Sequence, residues 1–240
     1  MPDATLIGSE PPTKYSPDMD EETIRLFEWV KPHTMTGIAR VHALRRAVEY
    51  VARCDIPGDV VECGVWRGGS MMAVARTLVE NNSADRTLHL FDTFEGMTEP
   101  TEADRDVDGT PAAQWLGQGD RDVNDVWSYA PLDEVKRAMA LTGYDQGRIR
   151  YVKGKVEETL PCHAPKQIAL LRLDTDWYES TYHELVHLYP RLSKGGVLII
   201  DDYGHWQGAR RAVDRYIVER KLKLLLNRID YTARICVKVD

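Results

Sequence analysis

The stretch Val60-Val61-Glu62-Cys63-Gly64-Val65-Trp66-Arg67-Gly68-Gly69-Ser70 decides the fold. An apolar strand runs through an acid into a glycine-rich turn, and Met71, Met72, Val74, Ala75, Leu78 and Val79 follow at helical spacing. Glycine lets the backbone approach a ligand closely, and the helix N-terminus behind the turn offers free amide groups. The spacing E-x-G-x-x-x-G-G is not the G-x-G-x-x-G of a pyrophosphate binder, so the turn alone also fits a plain strand-to-helix connection.

Outward from this unit the pattern repeats. The spacing predicts strands over 59–65, 87–92, 149–152, 168–173 and 196–200, with helices over 70–79, 132–141, 182–189 and 209–221. Strands alternating with helices, and continuously apolar in their cores, predict an α/β, doubly wound, mostly parallel sheet covered on both faces. Residues 224–231 and 234–239 read as a closing antiparallel pair turning near Thr232. Upstream, a helix is expected from Asp20 to Val30, then a second one capped by Thr34 or Thr36 and finished by Pro57-Gly58. The chain reads as one domain: an extended arm over 1–19, N-terminal helices over 20–56 and a core over 57–240. A polar segment at 97–130 interrupts the core. Between 99 and 125 it carries eight acids against two arginines and is expected to form a lid beside the active edge.

Composition bounds the partners. The 240 residues are 43% hydrophobic and 29% charged with a net charge of −7, which disfavours nucleic acid and anionic membrane surfaces. No apolar run reaches the roughly 18–20 residues of a membrane span, and residues 1–10 lack the basic and apolar regions of a signal peptide. Cys54, Cys63, Cys162 and Cys236 have no zinc spacing and are expected to be reduced and mostly buried, in a cytoplasmic protein.

Three acidic strand ends carry the chemistry. Asp92 closes the second strand in Phe91-Asp92-Thr93-Phe94-Glu95-Gly96, where doubly wound sheets hold ligands and an acid accepts ribose hydroxyls. Asp174 ends the strand Leu171-Arg172-Leu173, and Asp201-Asp202 end Val197-Leu198-Ile199-Ile200. Adjacent parallel strands bring those three carboxylates to one edge, where they repel unless protonated or bound to a cation. Oxygen donors favour a hard ion such as Mg²⁺. Pairing with Arg172, Arg210 or Arg211 is the alternative.

Together these motifs resemble the class I S-adenosylmethionine (SAM)-dependent methyltransferases, and more closely the macrocin O-methyltransferase (TylF-type) family. The resemblance rests on residues 62–70, on Phe91 to Met97, on Val152 to Pro161, on Leu173 to Thr181, and on Ile200 to Gly204. It implies a Rossmann-like methyltransferase sheet and transfer of a methyl group from SAM to a hydroxyl of a sugar or other small secondary metabolite, with Mg²⁺ assistance. It places Glu62, Gly64, Trp66, Gly68 and Ser70 around the methionine part of SAM. Asp92 and Thr93 fall at the ribose, Gly154 and Val156 near the adenine, and Asp174 beside the cofactor. Asp174, Asp201 and Asp202 are the implied Mg²⁺ ligands, Asp174 the first candidate base and His205 the second. Asp176, one residue off in phase from Asp174, is expected to orient the loop, with the reverse assignment of the two as the alternative. Thr175 and the His205-Trp206 pair are bulkier than the family pattern leads one to expect, and both fall at the acceptor side. Trp66, Trp177, Tyr178 and Trp206 could wall an aromatic acceptor pocket, so a catechol or phenol methyltransferase is one alternative. A non-catalytic SAM-binding protein is another, and a nicotinamide oxidoreductase lacks both its glycine turn and its Tyr-x-x-x-Lys relay. The N-terminal helices, with Thr34 and Met35 before the second, are expected to close over the cofactor or to form a subunit interface in a homo-oligomer.

Overall fold

The computed structural model describes residues 15–117 and 127–239. The arm expected over 1–19 falls mostly outside the described residues, as does 118–126 of the acidic segment. Two N-terminal helices, α1 (Glu21–Val30) and α2 (Ile38–Arg53), precede β1 (Asp59–Cys63), α3 (Gly69–Glu80), β2 (Leu88–Asp92) and the short α4 (Ala112–Leu116). Then come α5 (Leu132–Ala140), β3 (Ile149–Lys153), α6 (Val156–Thr159), β4 (Ile168–Leu173), α7 (Tyr178–Leu188) and β5 (Leu192–Ile200). The order ends with α8 (Gln207–Arg220), β6 (Asn227–Arg228) and β7 (Arg234–Val237).

Among the described residues the strands form one seven-stranded sheet in the order β3-β2-β1-β4-β5-β7-β6. The first five are parallel, and β7 runs antiparallel to both β5 and β6. Strand alternation divides the core by face. Val60, Leu88, Leu90, Leu170 and Ile199 pack under α1, α2, α3 and α5, whereas Val61, Cys63, Phe91, Leu171 and Leu198 pack under α6, α7 and α8. The doubly wound arrangement is the expected one, and it sets the ends of β1, β2, β4 and β5 along one edge.

Several local expectations are corrected. The N-cap of α2 is Gly37 rather than a threonine, because the Thr34 hydroxyl accepts the Thr36 amide in a turn of its own. Helix α7 starts at Tyr178, four residues early, and β5 starts at Leu192, where a bulge carries Gly195 at positive φ. The closing pair is much shorter than 224–231 and 234–239. Leu224 and Leu226 pack into the α7–α8 core, and Asp230 bends the chain by accepting the amides of Thr232 and Ala233. All four cysteines are free, but only Cys63 and Cys236 are buried, while Cys54 and Cys162 are exposed. None of the described helices is long and apolar enough to cross a membrane.

Candidate active site

The glycine turn is built by close approach. A Cβ at Gly64 would lie 1.9 Å from the Asp174 carbonyl oxygen, and the residue takes φ +81°, so only glycine lets the end of β1 pass beneath the end of β4. The Asp174 amide donates to the Cys63 carbonyl across that junction at 2.9 Å. At Gly69, the first residue of α3, a Cβ would meet the His33 carbonyl at 2.5 Å, so the segment 33–36 seats directly on the α3 N-terminus.

A cavity of about 490 Å³ opens at this edge of the sheet. Gly64, Trp66, Ser70, Asp92, Thr93, Gly154, Val156, Asp174, Asp201, Asp202 and His205 line it. Gly68 does not. It sits behind the turn as the left-handed N-cap of α3. Thr34 and Met35 also line the wall, which places the segment before α2 over the cavity.

Glu62, expected at the cofactor, is absent from the cavity wall. Register pairs it with Arg172, and its carboxylate, 1% exposed, accepts from the Arg172 Nη1 inside the sheet. Burial pushes its pKa up to about 7, against the lowering effect of Arg172. Arg172, 4% exposed, also binds Asp174 Oδ2 and Asp201 Oδ1, each at 2.8 Å. One guanidinium thus joins three strand ends.

Asp92 is a loop organiser as well as a wall residue. Its Oδ2 accepts the amides of Val65 (2.6 Å) and Trp66 (3.1 Å), and its Oδ1 accepts the Phe94 amide at 2.6 Å. Burial raises its pKa in spite of these donors. Lone pairs remain on a carboxylate with three donors.

Beyond Asp92 the acid cluster lies open to the cavity. Oxygens of Asp174, Asp201 and Asp202 lie within 4.8 Å of one another. Desolvation and mutual repulsion raise Asp174 and Asp202 well above ordinary carboxylates. Asp176 also lines the cavity, at φ +66°, with its amide donating to Asp202 Oδ2 at 3.2 Å. Burial next to Asp174 pushes Asp176 up to about 7. The donor set is all oxygen and acids outnumber the arginines among them, which fits a hard divalent ion. Arg40, from the first turn of α2, reaches this cluster and was not foreseen. Its Nη1 donates to Asp201 Oδ2, and its Nε donates to Asp230 Oδ2 at 2.8 Å.

One wall of the cavity is aromatic. Trp177 and Trp206 meet edge to face at 5.1 Å and line the cavity together with Trp115. Tyr178, expected on this wall, instead stacks on Tyr182 at 6.3 Å. His205 Nδ1 lies 3.1 Å from the Tyr231 hydroxyl. The Thr175 hydroxyl donates to Glu184 Oε1, which is wholly buried on α7, and this contact gives the bulk at position 175 a structural use.

The described part of the acidic segment is folded, not a free charge run. Asp104, fully buried, accepts the Thr101 amide at 2.7 Å and the Tyr178 amide at 2.8 Å, tying the segment to the start of α7. Asp106 accepts the Thr110 amide at 2.8 Å and the Trp115 indole at 3.0 Å. That folding sets Ala112, Trp115 and Leu116 of α4 over the cavity.

A sheet of this order with a ligand cavity at its carboxyl edge defines a class I methyltransferase. The macrocin-O-methyltransferase (TylF) family model matches residues 20–238, and the chain belongs to that family of SAM-dependent O-methyltransferases. It is 36% identical over 184 residues to demethyldecarbamoylnovobiocin O-methyltransferase of Streptomyces niveus, covering 77% of this chain and 67% of the relative. It is 37% identical over 171 residues to mycinamicin III 3''-O-methyltransferase of Micromonospora griseorubida, covering 71% and 65%. The matches thus span about two thirds of the length of these relatives. Among solved structures, the O-methyltransferase NovP superposes with a TM-score of 0.76 at 33% identity, covering 87% of this chain and 83% of that one.

Proposed function

We propose that this chain methylates a hydroxyl on the sugar of a small glycosylated metabolite, with SAM as donor and Mg²⁺ at Asp174, Asp201 and Asp202. The observation that carries the reading is the meeting of these three acids, within 4.8 Å, in the same cavity as the Gly64–Ser70 turn and Asp92. The named activities of the relatives, on a novobiocin precursor and on mycinamicin III, support a glycosylated acceptor. A cytoplasmic location and a homo-oligomer are part of the same reading.

SAM when bound supplies a methyl on a cationic sulfur, so catalysis rests largely on positioning for an in-line displacement. Mg²⁺ when bound supplies a Lewis acid that orients an acceptor hydroxyl and lowers its pKa. The chain's own residues do the rest. The Gly64–Ser70 turn and the α3 N-terminus hold the methionine end, with Glu62 acting from behind through Arg172. Asp92 and Thr93 take the ribose hydroxyls, and Gly154 and Val156 flank the adenine. Trp115, Trp177 and Trp206 exclude water and seat the apolar part of the acceptor. Arg172 holds Asp174 Oδ2 at 2.8 Å and so fixes the orientation of that carboxylate. Asp174 is the first candidate to receive the hydroxyl proton and His205 the second, with Asp176, which lines the same cavity, as the alternative to Asp174.

The test is calorimetric binding of S-adenosylhomocysteine, with and without Mg²⁺, followed by methyl transfer to a panel of glycosides, free sugars and catechols. Micromolar binding by the wild type, loss in Asp92→Ala and turnover of glycosides alone support the reading. Absence of binding sinks it, and turnover of catechols alone moves the acceptor class to phenols.

A further inference from the structure

Arg40 stands out from the acid cluster that surrounds it. It comes from the N-terminal helices, 161 residues from Asp201, yet it occupies the Asp201 Oδ2 with its Nη1. The other oxygen of Asp201 is held by Arg172 Nη2 at 2.8 Å. Of the three carboxylates read as cation ligands, Asp201 is therefore the one with a guanidinium on each oxygen. A divalent ion ligating Asp201 at about 2.0–2.1 Å sets a further positive charge beside oxygens that already face two guanidiniums, so the ion and the arginines compete for one carboxylate. Arg172 is fixed, because its side chain is 5% exposed and tied to Glu62 and Asp174 as well. Arg40 is not. Its side chain is 21% exposed, and its Nε already has a second carboxylate, Asp230, at 2.8 Å.

We propose that Arg40 is a tethered, displaceable cation: it neutralises Asp201 before a divalent ion arrives, then withdraws onto Asp230 as the ion takes the freed oxygen. The inference rests on reading Asp174, Asp201 and Asp202 as the cation site. In this arrangement Arg40 sets metal affinity without touching the metal, since two cations compete for one carboxylate oxygen. It also ties metal occupancy to the first turn of α2, directly after the residues that line the cavity at 33–36.

Calorimetric titration of the full chain with MgCl₂ alone tests this, with S-adenosylhomocysteine binding measured on each sample as a check on folding. Arg40→Met keeps the aliphatic stem and removes the competing charge, so Mg²⁺ should bind at least tenfold tighter than to wild type. Arg40→Lys should stay close to wild type. Asp230→Asn removes the anion onto which Arg40 withdraws and keeps an acceptor for the Thr232 and Ala233 amides, so Mg²⁺ should bind several-fold more weakly. The double variant should match Arg40→Met, because Asp230 acts only through Arg40, and a merely structural role would not produce that dependence. If wild type binds Mg²⁺ and Arg40→Met binds it equally or more weakly, the proposal is overturned and the acid cluster stands as a metal site. If neither binds Mg²⁺ while both bind S-adenosylhomocysteine, the metal reading fails and the proposal fails with it.

Discussion

Arg172→Met is the most informative single change in the sheet. The side chain is 4% exposed and its guanidinium binds Glu62, Asp174 and Asp201. At 2.8 Å and an effective dielectric of 20, the Asp174 and Asp201 contacts each have a gross Coulomb attraction of about 6 kcal/mol. Desolvation offsets most of that, and the measurable quantity is the cost of stranding the partners. Removing one member of a buried ion pair costs about 3–5 kcal/mol. For a chain of this size each kcal/mol lowers Tm by about 2–4 °C, so a fall of at least about 6 °C is expected at pH 8. The sign with pH follows from linkage. Without Arg172 the buried carboxylates hold protons more tightly in the folded state than in the unfolded one, so the variant loses stability as pH rises from about 4. Its deficit should therefore be smaller at pH 5 than at pH 8. Urea unfolding at both pH values measures this directly. A deficit below about 1 kcal/mol at pH 8, or one that grows on acidification, would refute the view of Arg172 as the shared counter-ion.

Glu184 is wholly buried with its pKa raised by desolvation, so the folded state retains its proton and stability is lost as pH rises above its ordinary value of 4.5. Glu184→Gln lacks that loss, so its Tm relative to wild type should improve between pH 5 and pH 8, and a difference independent of pH would contradict the neutral-acid assignment. Trp115→Ala should raise the acceptor KM about tenfold, the equivalent of 1.4 kcal/mol of lost contact, and leave S-adenosylhomocysteine affinity within about twofold. Equal losses for both ligands would move Trp115 off the acceptor side. Asp104→Ala strands the Tyr178 amide and should cost about 1–3 kcal/mol while speeding proteolysis within residues 99–117. An unchanged cleavage pattern would show that the segment does not depend on this anchor.

Residue order made the sheet legible and left the charge network hidden, for a physical reason. Ile168 to Leu173 is apolar at every position but one, and such a run announces a strand buried on both faces. The exception, Arg172, carries no local signal of its partner, since strand alternation aligns it with Glu62 only once the β1–β4 register is known. Thus Glu62, an acid before a glycine turn, also pairs with a neighbouring strand, which its local sequence does not signal. The carboxylates at 174, 201 and 202 were visible because each ends a strand, and parallel strands end together. Arg40 had no such signal. It lies on a helix whose apolar stripe explains the fold of that helix completely, and its contact with Asp201 depends on how α2 crosses the sheet edge. Local pattern reports what a residue does for its own element. The chemistry at this edge depends on the single place where four strands and a helix from outside the repeating unit converge, and only tertiary packing specifies that.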